Sequence, residues 1–458
     1  MRKQDLQPNP KEIMETFVDD PIDRNKDLVR FIKIIDSINE SYSIALDSYW
    51  GSGKTFFVKQ IKMILDANNK FTYDTIDEKD RILSKWNALL GNDHINSNYH
   101  IPIYYDAWAN DNDNDPILSI VYQIIQTVGN HATIKEPKGL ETAFSIAGDI
   151  FSIVIGFNPI DIAKKLKGEN PLEAIIQEKS LQERINEFIE SLIAEHGERL
   201  LIIIDELDRC NPEYAVKLLE RIKHYFNNDR VTFLFSVNVA ELQHTVKTHY
   251  GADFNASRYL DRFFDLRVPL SKPKAELLLK NADYSLMDCI DFDIVMAVYD
   301  YYNMQMRDYL KFISVLKRYI KPSFYDNSLE LSNTYEIIEN VLLPFAWGLM
   351  TNDAQKYSDF ISGKDDSELI NFLLYPQVFK KTEQYIENLF NKPVETTYLE
   401  RKIELGAKMD YEILYSFYDS FFNSNSDDSI GKCLIRNYER DFFHSTIAQM
   451  SKCMIIDE

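Results

Sequence analysis

Five short apolar runs rich in β-branched and aromatic residues recur through the first 270 residues of the 458-residue chain. Continuous apolar runs of this length are typical of strands covered on both faces, as in a parallel sheet with crossover helices. The runs are YSIALDSY (42–49), YHIPIYYDAW (99–108), LLIIID (200–205), VTFLFSV (231–237) and FDLRVPL (264–270). Because helical patterns separate most of them, we predict an α/β fold over the N-terminal part, residues 1–270.

Helical spacing dominates the rest of the chain. The stretch 53–67 places Phe57, Ile61 and Ile64 on one stripe, and 212–226 begins with a proline and is amphipathic. A long interruption, residues 109–198, separates the second apolar run from the third and is predicted to be a helical insertion. After residue 270 glycine becomes rare while Leu, Ile, Tyr and Phe recur at helical spacing, which predicts an all-helical C-terminal module over 271–458.

Net charge and composition argue against several classes of protein. The net charge of −21 disfavours a protein whose whole surface binds nucleic acid, although a local basic groove stays open. The four cysteines form no CxxC pair and the N-terminus lacks the apolar core of a signal peptide, which favours the cytoplasm. The apolar window 144–157 is too short to span a bilayer and contains Asp149, so membrane contact is expected to be peripheral at most.

A phosphate-binding loop is predicted in SYWGSGKTFFVKQ, residues 48–60. Gly51 and Gly53 permit tight turns, Lys54 supplies a mobile positive charge, and Thr55 offers a hydroxyl to Mg²⁺. Ser48 replaces the first glycine of the GxxxxGK[ST] formula, and a bare GKT also occurs by chance. The residues predicted to contact nucleotide are Trp50, Gly51, Ser52, Gly53, Lys54, Thr55 and Phe56.

Two acids end the third apolar run, where LLIII is followed by Asp205 and Glu206. Ligands of open α/β sheets bind at the carboxyl ends of the strands. Asp205 is therefore predicted to hold Mg²⁺, and Glu206 to orient or deprotonate a water that attacks the γ-phosphate of ATP. Asp208 is a second candidate for the acidic role. The alternative is an acidic helix cap after a buried strand.

The fourth run ends in FSVNVAE, which adds a polar candidate to the same edge. In five-stranded ATPases with an additional catalytic strand, Asn238 or Ser236 would point at the γ-phosphate or the water. Helix capping by Asn238 remains an equal alternative. The acidic stretch 109–116 could ligate a hard cation, but it lacks the glycine and the final glutamate of a calcium loop and is better explained as a solvated turn.

With these residues in view, the chain resembles the KAP family of P-loop NTPases over most of its first 320 residues. The WGSGKT loop has the family's internal tryptophan and glycine, and IIIDELDRCNPEYAVKLLERIKHYF (202–226) is similar to its extended Walker B signature. Segments 19–31, 104–108 and 258–270 resemble other family motifs. The resemblance implies sheet order 5-1-4-3-2, a helical C-terminal module and ATP hydrolysis.

Three arginines acquire candidate roles from this resemblance. Arg258 and Arg262 precede the fifth strand, where related ring-forming ATPases place an arginine that reaches a neighbouring subunit's γ-phosphate. Arg307 falls on a helix of the C-terminal module and resembles a phosphate-sensing arginine. A surface ion pair is the alternative for each of them. Many family members carry transmembrane helices between the two Walker motifs, and 109–198 contains no convincing span.

Two classes of function are consistent with these motifs. The first is an ATPase that couples MgATP turnover to conformational switching, as a homo-oligomer or with a protein effector partner. Family analogy alone suggests anti-phage defence or a mobile-element-associated role. The second is a nucleotide-gated scaffold that turns over little ATP and acts through a partner.

Overall fold

The computed structural model describes residues 8–69, 76–91, 99–131, 138–156, 171–272, 274, 276–277, 291–319, 337–382, 418–419, 421–422 and 440–447. The chain divides into two compact units. Leu6–Pro273 form the N-terminal unit, and Lys274–Glu458 together with Met1–Asp5 form the C-terminal unit.

A five-stranded sheet lies at the centre of the N-terminal unit. Its strands are β1 (Tyr42–Asp47), β2 (His100–Asp106), β3 (Arg199–Asp205), β4 (Val231–Val237) and β5 (Leu266–Pro269). Every neighbouring pair is parallel and the order is β2-β3-β4-β1-β5, which is the predicted 5-1-4-3-2 order. The predicted fold class is therefore confirmed. Asp205 is registered with Ser236, so the carboxyl ends of β3 and β4 lie side by side.

The apolar runs of the central strands β3 and β4 are fully buried because both faces of the sheet are covered there. Leu200, Ile202 and Ile204 pack into the core on one face, and Leu201 and Ile203 pack into the core on the other. Side chains alternate between the faces of a strand, so a continuous run of large aliphatic residues is stable only where water is excluded from both. Full burial stabilises each such side chain by about 1.5–3 kcal/mol.

Helices of the N-terminal unit form one layer on each face. The first layer comprises α1 (Pro10–Asp19), α2 (Asn25–Asp36), α3 (Lys54–Asn68) and α4 (Ile76–Leu90). The second comprises α5 (Pro116–His131), α6 (Lys138–Gly156), α7 (Pro171–His196), α8 (Pro212–Tyr225), α9 (Val239–Tyr250) and α10 (Ala256–Leu260). The helices α5, α6 and α7 fall within the stretch that was predicted to be a helical insertion.

The apolar window 144–157 belongs to α6, except for residue 157, which is outside the described residues. One stripe of this helix, Ala147, Ile150 and Val154, is buried in the core of the unit. Asp149 lies on the other side with more than half of its side chain exposed. Among the helices that the structure describes, none is long and apolar enough to cross a membrane.

The C-terminal unit consists of helices wherever the structure describes elements in it. They are α11 (Phe292–Tyr301), α12 (Met306–Tyr319), a π-helical turn (Ile338–Leu342) that continues into α13 (Leu343–Asn352), α14 (Ala354–Ile361) and α15 (Ser367–Leu373). Aromatic residues, among them Phe345, Trp347 and Phe372, fill its core. Gly348 allows α13 to approach α11, because a Cβ at this position would lie 2.3 Å from Val298 Cγ1.

Candidate functional site

The predicted phosphate loop connects the carboxyl end of β1 to the start of α3. Gly51 and Gly53 both have a positive φ, 75° and 88°, which side-chain-bearing residues rarely adopt. Lys54 is the first residue of α3, so the unpaired N–H groups of the first helical turn face the loop. The first turn carries no acidic residue. This geometry suits an anion, because the helix dipole and these N–H groups both favour negative charge.

Serine at position 48 is compatible with this loop. Ser48 is not among the residues with a positive φ, so its backbone does not require glycine. Its N–H donates to the carbonyl oxygen of Val237 at 3.2 Å, which continues the pairing of β1 with β4. The departure from the usual P-loop formula therefore leaves the loop geometry intact.

The Lys54 side chain is folded back onto its own loop. Its ammonium group donates to the carbonyl oxygens of Ser48 at 2.5 Å and Tyr49 at 3.0 Å. Burial lowers the pKa of Lys54, and the nearby carboxylates of Asp208 and Asp205 oppose this shift. A phosphate at the start of α3 would offer the ammonium group a negatively charged partner in place of two neutral carbonyls.

Asp205 ends β3 as a buried carboxylate with two donors. The hydroxyl of Tyr104 donates to Oδ2 at 2.9 Å, and the backbone N–H of Glu206 donates to Oδ1 at 3.0 Å. Burial and this carboxylate together raise the pKa of Tyr104, so the phenol keeps its proton and acts as a donor. Tyr104 thus fixes the orientation of the acid that is predicted to bind Mg²⁺.

Glu206 follows in an unusual backbone conformation, with a φ of 59° in the left-handed region. A non-glycine residue in this region carries strain, which persists only where the surrounding structure enforces it. Its carboxylate oxygen Oε1 lies 3.1 Å from Nη1 of Arg209, whose guanidinium is 5.5 Å from the centre of the Trp108 ring. Burial raises the pKa of Glu206, and the charge of Arg209 opposes this shift.

A hydrogen bond joins the phosphate loop directly to the acidic segment. Nε1 of Trp50 donates to Oδ2 of Asp208 at 2.5 Å. Burial raises the pKa of Asp208, whereas the Trp50 hydrogen bond and the Lys54 charge lower it. Asp208 therefore connects the phosphate loop to the acidic segment that follows β3.

The two polar candidates on β4 have different surroundings. The side-chain oxygen of Asn238 accepts from the N–H groups of Ala240 at 3.1 Å and Glu241 at 3.4 Å, so it caps α9. Ser236 is fully buried, and its hydroxyl has no hydrogen-bond partner among the described residues. Its register neighbour is Asp205.

Of the two predicted Mg²⁺ ligands, Asp205 is a buried carboxylate at the end of β3 and Thr55 is the second residue of α3, and a carboxylate and a hydroxyl both suit a hydrated Mg²⁺. Because side chains alternate along each strand, Asp205 and Ser236 fall on the face of the sheet that α3 covers. Ser52 in the loop also has a buried hydroxyl without a partner among the described residues. Mg²⁺ in such sites takes one or two protein ligands and completes its shell with water and phosphate oxygens. In the described part of the chain, no group of three or more His, Cys, Asp or Glu residues could hold a metal.

The predicted arginines lie apart from this loop. Arg258 and Arg262 are exposed and precede Leu266, at the amino end of β5, whereas Lys54 follows the carboxyl end of β1. Across the described residues neither arginine side chain forms an ion pair. Arg307 is exposed on α12 of the C-terminal unit. The roles predicted for these three residues stay predictions.

Two site residues were not predicted from the sequence. Tyr104 lies in segment 104–108, which resembles a family motif, but no sequence pattern indicates a role for its hydroxyl. Arg24, in the segment before the loop, is buried and donates to the carbonyl oxygen of Ser52 at 2.8 Å. No spacing rule links an arginine to a loop 28 residues further along the chain. The only available signal was the resemblance of segment 19–31 to a family motif.

The acidic stretch 109–116 packs against α8. Asp115 pairs with Arg221 at 3.3 Å and with Lys217 at 3.8 Å, and Lys217 also donates to the carbonyl oxygen of Asn114. Two cationic side chains therefore already neutralise Asp115, which is buried and not solvated, whereas Asn112, Asp113 and Asn114 are exposed as expected of a solvated turn.

Comparison with known proteins gives one informative match. Residues 28–319, more than half of the chain, match the KAP family P-loop domain. Among solved structures, that of the Aeropyrum pernix ORC2 protein, in ADPNP–ADP complexes, is similar with a TM-score of 0.33 and 11% identity, covering 98% of this chain and 97% of that one. A similarity with this TM-score does not support any conclusion about the fold of this chain. No curated protein matches the chain. On the strength of the family match and the P-loop sheet order, the chain belongs to the KAP family of P-loop NTPases.

Proposed function

We propose that this chain binds ATP with Mg²⁺ and hydrolyses it, and that turnover switches its conformation. One observation supports the proposal above all. The phosphate loop meets the acidic segment directly, because Nε1 of Trp50 donates to Oδ2 of Asp208 at 2.5 Å. The charges of Asp208 and of Asp205, the last residue of β3, accordingly oppose the lowering of the pKa of Lys54 at the start of α3. A cation at a helix N-terminus facing acids at the carboxyl end of the sheet is the arrangement that phosphoryl transfer requires.

Each residue has a distinct task in this proposal. The loop N–H groups and the Lys54 ammonium bind the phosphates, so Lys54 must leave the carbonyls of Ser48 and Tyr49. Thr55 and Asp205 hold Mg²⁺, with Tyr104 fixing the carboxylate. When bound, the metal supplies positive charge next to the β- and γ-phosphate oxygens.

Glu206 acts as the base. A water attacks the γ-phosphorus, its proton passes to the Glu206 carboxylate, and the bond between the γ-phosphorus and the bridging oxygen breaks to give ADP and phosphate. Glu206 must exchange its pairing with Arg209 for a hydrogen bond to the water. The buried Ser236 hydroxyl, beside Asp205, is the candidate for a further polar contact to the water or the γ-phosphate.

The switch is proposed to act through the C-terminal unit, either in a homo-oligomer or on a protein effector. A role in defence against phage, or with mobile elements, rests on analogy with the family.

Substitutions at Lys54 and Glu206 test the proposal. We expect Lys54→Ala to lose ATP binding, and Glu206→Gln to bind ATP but to release little phosphate. Glu213→Gln is the matched control, because Glu213 is exposed in the first turn of α8. Equilibrium binding of a fluorescent ATP analogue and phosphate release are measured on the full chain. Unchanged turnover in Lys54→Ala would contradict the site assignment.

A nucleotide-gated scaffold is the second candidate, and the pairing of Glu206 with Arg209 favours it. A carboxylate that is paired with a neighbouring cation is a weaker proton acceptor, which is consistent with slow turnover until a bound partner or ligand displaces Arg209. Wild-type protein that binds ATP tightly yet releases no phosphate, over a range of protein concentrations, would favour the scaffold over the ATPase.

A further inference from the structure

Arg24 is a buried cation between α1 and α2, and its guanidinium contacts the phosphate loop. It lies immediately before α2, and its backbone N–H donates to Oδ1 of Asp20 at 2.7 Å. The next residue, Asn25, is buried and donates to the carbonyl oxygen of Phe17 at 2.8 Å, which ties the start of α2 to α1. The guanidinium is thus placed by a fixed turn.

This guanidinium bridges two backbone carbonyls that are far apart in sequence. Nη1 donates to the carbonyl oxygen of Ser52 at 2.8 Å, and Nη2 donates to that of Ser271 at 2.9 Å. A Cβ added at Gly53 would lie 2.9 Å from Nη1, so a side chain at this position would displace the guanidinium. Only arginine offers two such donors in a fixed planar fork.

The hydrogen bond to Ser52 acts on the peptide group whose N–H belongs to Gly53. A cation on the carbonyl polarises the peptide, which makes its N–H a stronger donor. Gly53 is the residue directly before α3, where the phosphate is expected. Arg24 therefore strengthens and orients an amide of the loop without touching the ligand.

The hydrogen bond to Ser271 ties the same guanidinium to the chain after β5. The N–H of Leu270 donates to the carbonyl oxygen of Asp47 at 2.9 Å, and the Ser271 hydroxyl donates to Asp27 on α2. Ser271 lies two residues before Pro273, the last residue of the N-terminal unit. One buried side chain thus joins the loop to the segment that leads out of this unit.

We propose that Arg24 is a positioning residue that couples the phosphate loop to residues 270–272. Filling the loop fixes the Ser52–Gly53 peptide and, through the guanidinium, orders the segment after β5. Movement of that segment in turn changes the affinity of the loop, because the coupling is reciprocal. The inference rests on the proposed nucleotide binding.

Arg24→Lys tests the coupling, because lysine keeps the charge but has one nitrogen in place of the fork. We expect roughly tenfold weaker ADP binding, since a charge-assisted hydrogen bond is lost. In hydrogen exchange without nucleotide, the loop (50–56) and residues 270–272 are both expected to exchange faster than in wild type. Arg81→Lys is the matched control, because Arg81 is an exposed arginine on α4, in the same layer of helices.

The wild-type protein supplies a second test that does not depend on the variant's stability. ADP and a non-hydrolysable ATP analogue should each slow exchange at residues 270–272 and leave residues 258–265 unchanged. Failure of the wild type to bind either nucleotide would overturn the proposed function. Nucleotide binding without protection at 270–272, or Arg24→Lys with wild-type affinity and exchange, would overturn the coupling alone.

Discussion

The guanidinium of Arg209 lies 3.1 Å from the carboxylate of Glu206, the residue that is proposed to activate the water. Both side chains are partly exposed, at 26% and 20%, so this ion pair contributes little to stability and can be exchanged at low cost. The guanidinium also lies over Trp108, half of which is exposed. The pair therefore holds the base in a resting position that a ligand can displace.

Arg209→Met is expected to move the acid limb of the turnover profile to higher pH. Burial raises the pKa of Glu206 and Arg209 opposes this, so removing the cation raises the pKa further. Glu206 must be ionised to accept a proton, so turnover falls as pH drops through this pKa. The same shift means that ionised Glu206 destabilises the fold, and the variant loses more stability as pH rises through the folded pKa.

Measurement of kcat/KM against pH checks this prediction. Arg230→Met is the control, because Arg230 is an exposed arginine that pairs with Glu190. An acid limb that stays in place in Arg209→Met would show that Arg209 does not act on the base.

Trp50→Phe is expected to destabilise the protein by about 1–3 kcal/mol, because it leaves the buried Asp208 carboxylate without its indole donor. The pKa of Asp208, already raised by burial, should rise further. Urea unfolding of Trp50→Phe, Asp208→Asn and the double variant measures the coupling of the pair. Strictly additive effects would mean that the hydrogen bond contributes nothing to stability.

Ser236→Ala is expected to separate stability from turnover. The serine hydroxyl is buried without a partner among the described residues, so its removal should leave the free energy of unfolding unchanged or slightly higher. If the hydroxyl contacts the water or the γ-phosphate, kcat should fall by about tenfold or more, as for loss of one polar contact to the transition state. Thr232→Val, near the amino end of the same strand, is the control for turnover. Its hydroxyl accepts from Nη2 of the buried Arg199 at 3.5 Å, so this variant should lose stability and keep wild-type kcat. Wild-type kcat in Ser236→Ala would remove this residue from the site.

The sequence predicted the sheet well and the side-chain contacts poorly, for physical reasons. The third strand is a continuous apolar run that leads directly into Asp205 and Glu206, so local pattern was sufficient there. The order of the strands came from the family resemblance. The hydrogen bond of Trp50 to Asp208 joins residues 158 apart, and that of Tyr104 to Asp205 joins residues 101 apart. Such contacts depend on how the crossover helices pack, which no local pattern records.

Arg258 and Arg262 both precede the amino end of β5, and this position leads to a prediction about their role. Both are exposed at the amino end of β5, opposite the edge that carries Lys54, so neither is placed to reach a phosphate on its own chain. If Arg262 completes the site of a neighbouring copy, Arg262→Ala should retain ATP binding but lose most turnover, since a transition-state arginine is worth about 10³–10⁵ in rate. Arg258→Ala is tested in the same way.

Mixing two inactive variants distinguishes action between subunits from action within one. Lys54→Ala lacks a working phosphate loop but keeps Arg262, whereas Arg262→Ala keeps the loop. In a mixed oligomer, the intact phosphate loop of an Arg262→Ala copy can face the intact Arg262 of a Lys54→Ala copy. Phosphate release should therefore recover in part. Recovery must increase with total protein concentration, because it requires association. A mixture no more active than its components, in an oligomer demonstrated by light scattering, would contradict the prediction.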